Sequence, residues 1–399
     1  MTSSWFERFT AQPHQPFFAL GIPLFLIYTF IIMAQYSNIL TLNVSLGQFH
    51  IYPLVFMIFI QFFLGFLFVV FPRFLMQATI KKDIYMKIFY LYLTASLLYF
   101  CGLFISNILV VFGSIILFCA QAWAFQILYK IYKNSIVPDK YDTKWILISY
   151  ATGLFSHLLF IFTFIIPFED MEKLAIYASF YLFLFSLIFA ISQRMILMFT
   201  KVKVDTYIKN KSKYIMEITF TLLLFKVLIL MLNDVRLNII ADLPLFLFFT
   251  YEIIYKWKLP VFKVSPIMWV LYLALFWIPL GFLLSFIESL SAIIWSNAYY
   301  FEKSAVHTFA LGYFVTVLIG FGTRVVLGHS GKTPTADSMA VFMFICIQFI
   351  VLIRVFAGLS SNFGLDYTFW ISLSALLLVL ALILWSIRYL GIIIKGYKP

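Results

Sequence analysis

One apolar stretch, Ala305–Lys332, reads AVHTFALGYFVTVLIGFGTRVVLGHSGK and has polar groups near both of its ends. His307 lies near its start and Arg324 near its end, and a Gly-His-Ser-Gly-Lys loop follows from Gly328 to Lys332. A run of about 20 mostly apolar residues is long enough to cross a bilayer as a helix. The stretch therefore predicts a transmembrane helix that carries candidate functional groups at its ends.

The composition extends this prediction to the whole chain. Of the 399 residues, 64% are hydrophobic and only 11% are charged, whereas soluble proteins average about 25% charged residues. The net charge of +12 does not indicate nucleic-acid binding, because the basic residues occupy short loops between apolar runs. The three cysteines have neither metal-finger spacing nor a haem-attachment motif.

Twelve apolar runs are long enough to span a membrane. We therefore expect an all-α, polytopic membrane protein, a bundle of twelve transmembrane helices that forms a single domain over residues 1–399. In order, the predicted helices are Phe17–Tyr36, His50–Phe71, Ile88–Ser106, Ile108–Ile131, Trp145–Ile166, Ala175–Phe199, Ile215–Leu232, Ile239–Tyr255, Met268–Ile287, Ala305–Leu327, Ala340–Leu359 and Thr368–Ile394.

The distribution of Lys and Arg predicts the orientation of this bundle. With a cytoplasmic N-terminus, 23 of the 28 basic residues face the cytoplasm, and only Lys173, Arg236 and Lys303 lie outside. Cytoplasmic loops of membrane proteins carry such an excess of positive charge. We therefore expect both termini in the cytoplasm.

Three histidines are candidate ligands of a metal or a haem. His50 and His307 open the second and tenth helices, and His157 lies within the fifth, so all three fall in the outer half of the predicted bundle. Imidazole nitrogen binds both haem iron and copper. His50 and His307 have matching depth, which would allow both to bind one metal, whereas His157 lies deeper and suits a second metal or the other side of a pocket. The open alternatives are partly wet structural residues for the first two and a hydrogen-bonded packing residue for His157.

The two remaining basic residues lie inside predicted helices, away from the cytoplasmic ends. Arg354, in the eleventh helix, is a candidate to bind a carboxylate or a haem propionate, with extension toward lipid headgroups as the alternative. Lys226, in the seventh helix, is a functional candidate because a charge inside a membrane is costly. Glu217 lies on the opposite side of the same helix, so an ion pair with another helix is the alternative for Lys226.

The tenth helix carries a stripe of small residues at Thr308, Gly312, Thr316 and Gly320. Such a stripe allows a second helix to approach closely and predicts a central position in the bundle. At its other end, three motif positions form a basic corner that is either an anion site or an orientation signal only, namely Arg324, His329 and Lys332. No half-to-half repeat is visible in the sequence.

Three motifs resemble the NnrS family. The strongest is His307-Thr-Phe-Ala-Leu-Gly312 followed by Thr323-Arg-Val-Val-Leu-Gly-His329-Ser-Gly-Lys332. The opening Gln15-Pro-Phe-Phe-Ala-Leu-Gly21 and the second span, with His50 and Gly65-Phe-Leu-Phe-Val-Val-Phe-Pro72, are weaker matches.

The resemblance implies a haem- and copper-binding inner-membrane protein that acts in the nitric oxide (nitrosative stress) response, with nitric oxide as a ligand. One departure stands out. The family's second span usually reads His-x-His-Glu, whereas this chain has His50-Ile-Tyr52-Pro53, so one histidine and one acid are missing. The resemblance therefore leaves open how many metals this chain binds.

Two other functions remain open. A twelve-helix secondary transporter fits the number of helices, although ionisable residues inside the helices are few. A nitric oxide or oxygen reductase related to haem–copper oxidases also fits the number, but the chain has five histidines and no adjacent pair. Whether the protein is an enzyme is undecided, and no catalytic residue is assigned.

Overall fold

The computed structural model describes residues 4–42, 44–199, 210–259, 264–296, 299–329, 333 and 335–396, and within these ranges every regular element is a helix. Eleven helices in these ranges are long and apolar enough to cross a membrane. They are α1 (His14–Tyr36), α2 (Gly47–Phe74), α3 (Lys82–Ile105), α4 (Asn107–Asn134), α5 (Tyr141–Ile165), α6 (Glu169–Phe199), α8 (Val235–Lys256), α9 (Pro266–Trp295), α10 (Ser304–His329), α11 (Ser338–Phe363) and α12 (Tyr367–Lys395).

The seventh predicted helix is shorter than the others. Helix α7, Ile215–Leu230, has 16 residues, and at 1.5 Å per residue it is about 24 Å long. The hydrocarbon core of a bilayer is about 30 Å thick. The all-helical fold with several candidate membrane-spanning helices is therefore confirmed, whereas the number of twelve spans and the orientation of the termini stay predictions.

Two helix ends that differ from the predicted runs are set by polar capping residues. Asp337 accepts a hydrogen bond from the Ala340 amide and starts α11 two residues before the apolar run begins. Ser106 ends α3 and accepts from the Ile108 amide, so it also caps α4. Hydrophobicity alone does not detect such ends, because a cap depends on side-chain oxygen atoms.

The chain divides into two compact units. The first comprises residues 1–187 with 386–399, and the second comprises residues 188–385. This division does not test the expectation of a single domain, which stays a prediction.

In the first unit, helices α3 and α4 form an antiparallel pair joined by Ser106 alone. Two glycines permit the close approach of their backbones. A Cβ atom at Gly102 would come within 2.8 Å of the Val110 side chain, and one at Gly113 within 2.8 Å of the Tyr99 amide nitrogen.

In the second unit, the stripe of small residues on α10 packs against α9. A Cβ atom at Gly312 would come within 2.6 Å of the Trp277 ring, and one at Gly320 within 2.6 Å of Leu271. The Trp277 indole of α9 donates to the Gln348 side chain of α11 at 2.7 Å, so this hydrogen bond connects α11 to α9 beside the stripe. The predicted close approach of a second helix along this stripe is confirmed, and its partner is α9.

Helices α6 and α10 contain the same irregularity at equivalent positions. In each, an eight-residue segment of wider π-helical turns precedes a regular α-helical half. The π segments are Ala178–Phe185 and Thr308–Val315, and the regular halves start at Ser186 and Thr316, so each pair of bounds differs by 130 residues. A similar order, Pro53–Phe59 followed by Ile60–Phe74, occurs in α2. Segments of π-helix are often located at functional sites.

The similarity of α6 and α10 extends to their sequences and hydrogen bonds. Glu172-Lys173-Leu-Ala corresponds to Glu302-Lys303-Ser-Ala. The Ser186 hydroxyl donates to the Tyr181 carbonyl at 3.1 Å, and the Thr316 hydroxyl donates to the Leu311 carbonyl at the same distance. Both bonds reach back five residues, which is one residue further than the usual Ser/Thr bond in an α-helix. The sequence alone does not reveal this repeat, because its residues match mainly in type.

Candidate functional site

His307 lies in the first turn of α10, and its ring folds back onto the preceding backbone. Lys303 precedes the helix with a positive φ of 61°, and its carbonyl lies 3.0 Å from His307 Nδ1. Because a carbonyl only accepts hydrogen bonds, this contact assigns the ring proton to Nδ1 and leaves a lone pair on Nε2. The half-buried imidazole therefore has Nε2 as its hydrogen-bond acceptor.

Arg354 of α11 faces this nitrogen. Its side chain is only 6% exposed, and Nη2 lies 3.3 Å from His307 Nε2. The start of α10 is held against α11 by Ser304, whose hydroxyl donates to the Val355 carbonyl at 2.9 Å. Gly358 leaves room for this contact, because a Cβ atom there would clash with Ser304. The guanidinium is hydrogen-bonded to Nε2, so a metal at this nitrogen would have to displace Arg354. The choice between a binding role for Arg354 and extension toward headgroups stays open.

The pair formed by His307 and Arg354 suits a haem. A histidine that ligates iron usually donates its other ring N–H to a carbonyl or carboxylate, as His307 does. The planar guanidinium of arginine binds carboxylates through two parallel hydrogen bonds, and each haem carries two propionates. One imidazole and one guanidinium inside the second unit thus match the two kinds of group on a haem.

His157 of α5 has a different environment within the first unit. The ring is fully buried, and the Tyr52 hydroxyl lies 2.6 Å from Nε2 while the Gln121 side-chain oxygen lies 2.8 Å from Nδ1. Phe56 stacks on the ring at 4.4 Å between centroids. Both nitrogens are therefore engaged by protein groups, and a metal at Nε2 would have to displace Tyr52. This arrangement supports the alternative of a hydrogen-bonded packing residue.

Tyr52 stands at the position where the second histidine of the resembled His-x-His-Glu pattern would be. Its phenol stacks on Tyr99 at 4.8 Å between centroids and points its hydroxyl at His157. The missing imidazole is thus replaced by a hydrogen-bond donor inside an aromatic core. No sequence signal indicates that Tyr52 and His157 would meet, because they lie 105 residues apart.

His50 lies two residues before Tyr52, in the first π turn of α2, and is half-buried. His50 belongs to the first unit, whereas His307 belongs to the second. The expectation that His50 and His307 bind one metal therefore stays a prediction.

Lys226 forms an ion pair with another helix, which is one of the two roles that the sequence leaves open. Its Nζ lies 2.7 Å from Asp242 Oδ2 of α8, and both side chains are buried. Sequence reasoning overlooks Asp242, although an acid in an otherwise apolar span is itself a signal of function or pairing.

Arg324 and His329, two of the three motif positions, lie at the opposite end of α10 from His307. The Arg324 guanidinium carbon lies 4.0 Å from the centre of the Phe199 ring, a cation–π contact that needs no anion. His329 is the last residue of α10, and Lys332 lies outside the described residues. The choice between an anion site and an orientation signal stays open here.

Within the described ranges, no three His, Cys, Asp or Glu side chains come together in a group that could hold a metal ion. A copper site built from several imidazoles is thus not assembled by these residues alone. A haem differs in this respect, because one histidine is enough to ligate its iron.

Comparison with known protein families gives a match that covers nearly the whole chain. The family model described as NnrS protein matches residues 8–396, which include all eleven candidate spans and both halves of the repeat. Comparison with individually curated proteins gives no match. The matched range contains all three motifs that resemble this family, and the chain belongs to the NnrS family.

Proposed function

We propose that this chain is a haem-binding protein of the bacterial cytoplasmic membrane that acts in the nitric oxide response, with His307 as an iron ligand and Arg354 as the partner of a propionate. The observation that carries the proposal is the geometry of His307, whose Nδ1 is bonded to the Lys303 carbonyl and whose Nε2 faces the Arg354 guanidinium.

The two residues have distinct tasks in this proposal. The carbonyl of Lys303 orients the imidazole and raises the basicity of Nε2, as outer hydrogen bonds do at metal sites. Arg354 is held out of water, so its hydrogen bonds to a carboxylate are strong. Haem iron bound by one histidine keeps a coordination position for a diatomic gas such as nitric oxide.

The remaining candidate ligands have unequal support. His50 remains a candidate second ligand, whereas the bonds of His157 to Tyr52 and Gln121 make it a poor one. Copper is expected from the family resemblance, and the described residues supply no three-donor group for it. Haem is therefore the main cofactor of the proposal, with copper as a second expectation.

The test is to purify the full chain in mild detergent and to measure its absorption spectrum with its haem, iron and copper content. We expect a haem Soret band that changes when nitric oxide is added. His307→Ala should lose haem, and Arg354→Ala should weaken its retention. His329→Ala is the matched control, because it removes a histidine from the opposite end of the same helix. A folded wild-type protein with neither haem nor copper would contradict the proposal.

One observation favours a second candidate function, a secondary transporter. Many transporters contain internal repeats with broken helices near their substrate site, and α6 and α10 are repeated helices with matching irregularities. The repeat distance of four helices differs from the six expected for two equal halves of twelve. Coupled substrate or proton flux in proteoliposomes made with haem-free protein would favour the transporter.

A further inference from the structure

The second unit contains a buried ion pair that the proposed haem site does not use. Lys226 Nζ and Asp242 Oδ2 are 2.7 Å apart, with the two side chains 2% and 0% exposed. Breaking such a pair strongly destabilises a protein, yet replacing it with apolar residues often costs nothing. A buried ion pair inside a membrane protein therefore calls for a role beyond stability.

The carboxylate of Asp242 is satisfied on one oxygen only. Oδ2 accepts from Lys226 Nζ and also from the Ser285 hydroxyl of α9 at 2.8 Å. Oδ1 is equally buried, but it has no hydrogen-bond partner among the described residues. A charged oxygen without a donor is costly to bury, whereas a proton on that oxygen removes its charge. The unpaired Oδ1 is thus the place where a proton would bind.

A second carboxyl lies between this pair and the end of α9. Glu288 is one turn beyond Ser285, is half-buried, and interacts electrostatically with Lys226, Asp242 and Lys303. The Ser289 hydroxyl continues the polar column by donating to the Ser285 carbonyl at 3.0 Å. Polar groups therefore extend from the buried pair toward the helix end.

Other charged groups lie on α7 and α8. Asp234 and Arg236, at the start of α8, pair with each other at 2.8 Å on the surface. Glu217 is nine residues before Lys226 in α7, and Lys256 pairs with Glu252 at 3.7 Å. Glu252, at the opposite end of α8, accepts from both the amide and the hydroxyl of Ser212. Besides these, α7 contributes Lys226, α9 contributes Glu288, and Glu302 acts on Glu288.

We infer that Asp242 is a proton-exchange site within the membrane, loaded through Glu288 from the end of α9 that is near Lys303. In the loading step, the Glu288 carboxylic acid transfers its proton, carried by water, to Oδ1 of the Asp242 carboxylate. Glu288 becomes a carboxylate and regains a proton from the solvent, while Lys226 stays an ammonium ion. No oxidant or reductant takes part, so the step is independent of haem.

Infrared difference spectroscopy of the full chain in detergent, between acidic and alkaline pH, tests this inference. We expect a carbonyl-stretch band of a protonated carboxyl in the wild type and its loss in Asp242→Asn, whose amide keeps the shape of the side chain. Glu288→Gln should keep the Asp242 band but slow its hydrogen–deuterium exchange several-fold. A band that persists unchanged in Asp242→Asn would overturn the inference.

Glu252→Gln is the matched control, because Glu252 is also fully buried on α8 but both of its oxygens are paired. Glu252→Gln should leave the band unchanged. If the band is lost in Glu252→Gln and not in Asp242→Asn, the assignment of the band to Asp242 is contradicted. If Asp242→Asn does not fold, Ser285→Ala should shift the frequency of the band, because it removes one donor from Oδ2. An unshifted band would contradict the assignment. Haem content, measured on the same samples, reports separately on the haem proposal.

Discussion

Helices α6 and α10 share one backbone design but differ in the residue that precedes the π segment. Tyr177 occupies this position in α6, and His307 occupies it in α10. The wide turns, the five-residue hydroxyl bond and the arginine near the far end, Arg194 or Arg324, recur in both helices. The comparison teaches that a repeated scaffold can carry different chemistry, since only the imidazole offers a ring nitrogen to a metal.

The largest expected effect comes from replacing each of the two differing residues, His307 and Tyr177, with phenylalanine in separate variants. His307→Phe should abolish haem binding, because a phenyl ring has no lone pair for iron. Tyr177→Phe should leave the haem content unchanged. Haem-to-protein ratios of the two purified variants, measured by absorption, check this. Equal haem loss in both variants would remove the distinction between the helices.

The next effect concerns how each helix packs. Gly312 lies against Trp277, whereas the equivalent position in α6 is Leu182. Gly312→Leu copies α6 into α10 and should cost about 3 kcal/mol through overpacking. Unfolding of the detergent-solubilised protein measures the loss. Gly328→Ala is the control, because among the described residues no packing neighbour comes within 4 Å of a Cβ placed at Gly328. Similar stability of Gly312→Leu and the wild type would show that the helices are interchangeable here.

A smaller and equal effect is expected where the two helices agree. Ser186→Ala and Thr316→Val each remove the hydroxyl bond that spans the wide turn. Each should lower the free energy of unfolding by about 0.6 kcal/mol, the average for such bonds between groups in a membrane protein. Thr308→Val is the control, because the Ser304 carbonyl also accepts the Thr308 amide. Clearly unequal losses at the two positions would break the proposed equivalence.

The smallest effect concerns the contact of Arg324 with Phe199. A double-mutant cycle with Arg324→Gln and Phe199→Leu should give a coupling energy of about 0.5 kcal/mol, since the guanidinium is half-exposed. Thermal unfolding of the four proteins supplies the cycle. A coupling of zero, together with stabilisation of the wild type by added phosphate, would assign Arg324 to an anion site.

Hydrophobicity allows much of the fold to be predicted from the sequence. Each of the twelve apolar runs corresponds to a helix, and the glycines of α10 predict its close packing. The π segments escape prediction because a π turn and an α turn use the same apolar residues. The length of α7 is not predicted from the sequence either, since the run of apolar residues continues past the helix end at Leu230.

The sequence by itself determined that this protein is a helical membrane protein of the NnrS family, because apolar length and local motifs are properties of short segments. Only the tertiary structure decided which polar side chains meet. Arg354 reaches His307 across 47 residues, Lys226 finds Asp242 on the next helix, and Tyr52 engages His157. Helical periodicity assigns a residue to a face of its own helix. The partner on that face depends on how different helices pack, and this is fixed by contacts between segments far apart in the chain.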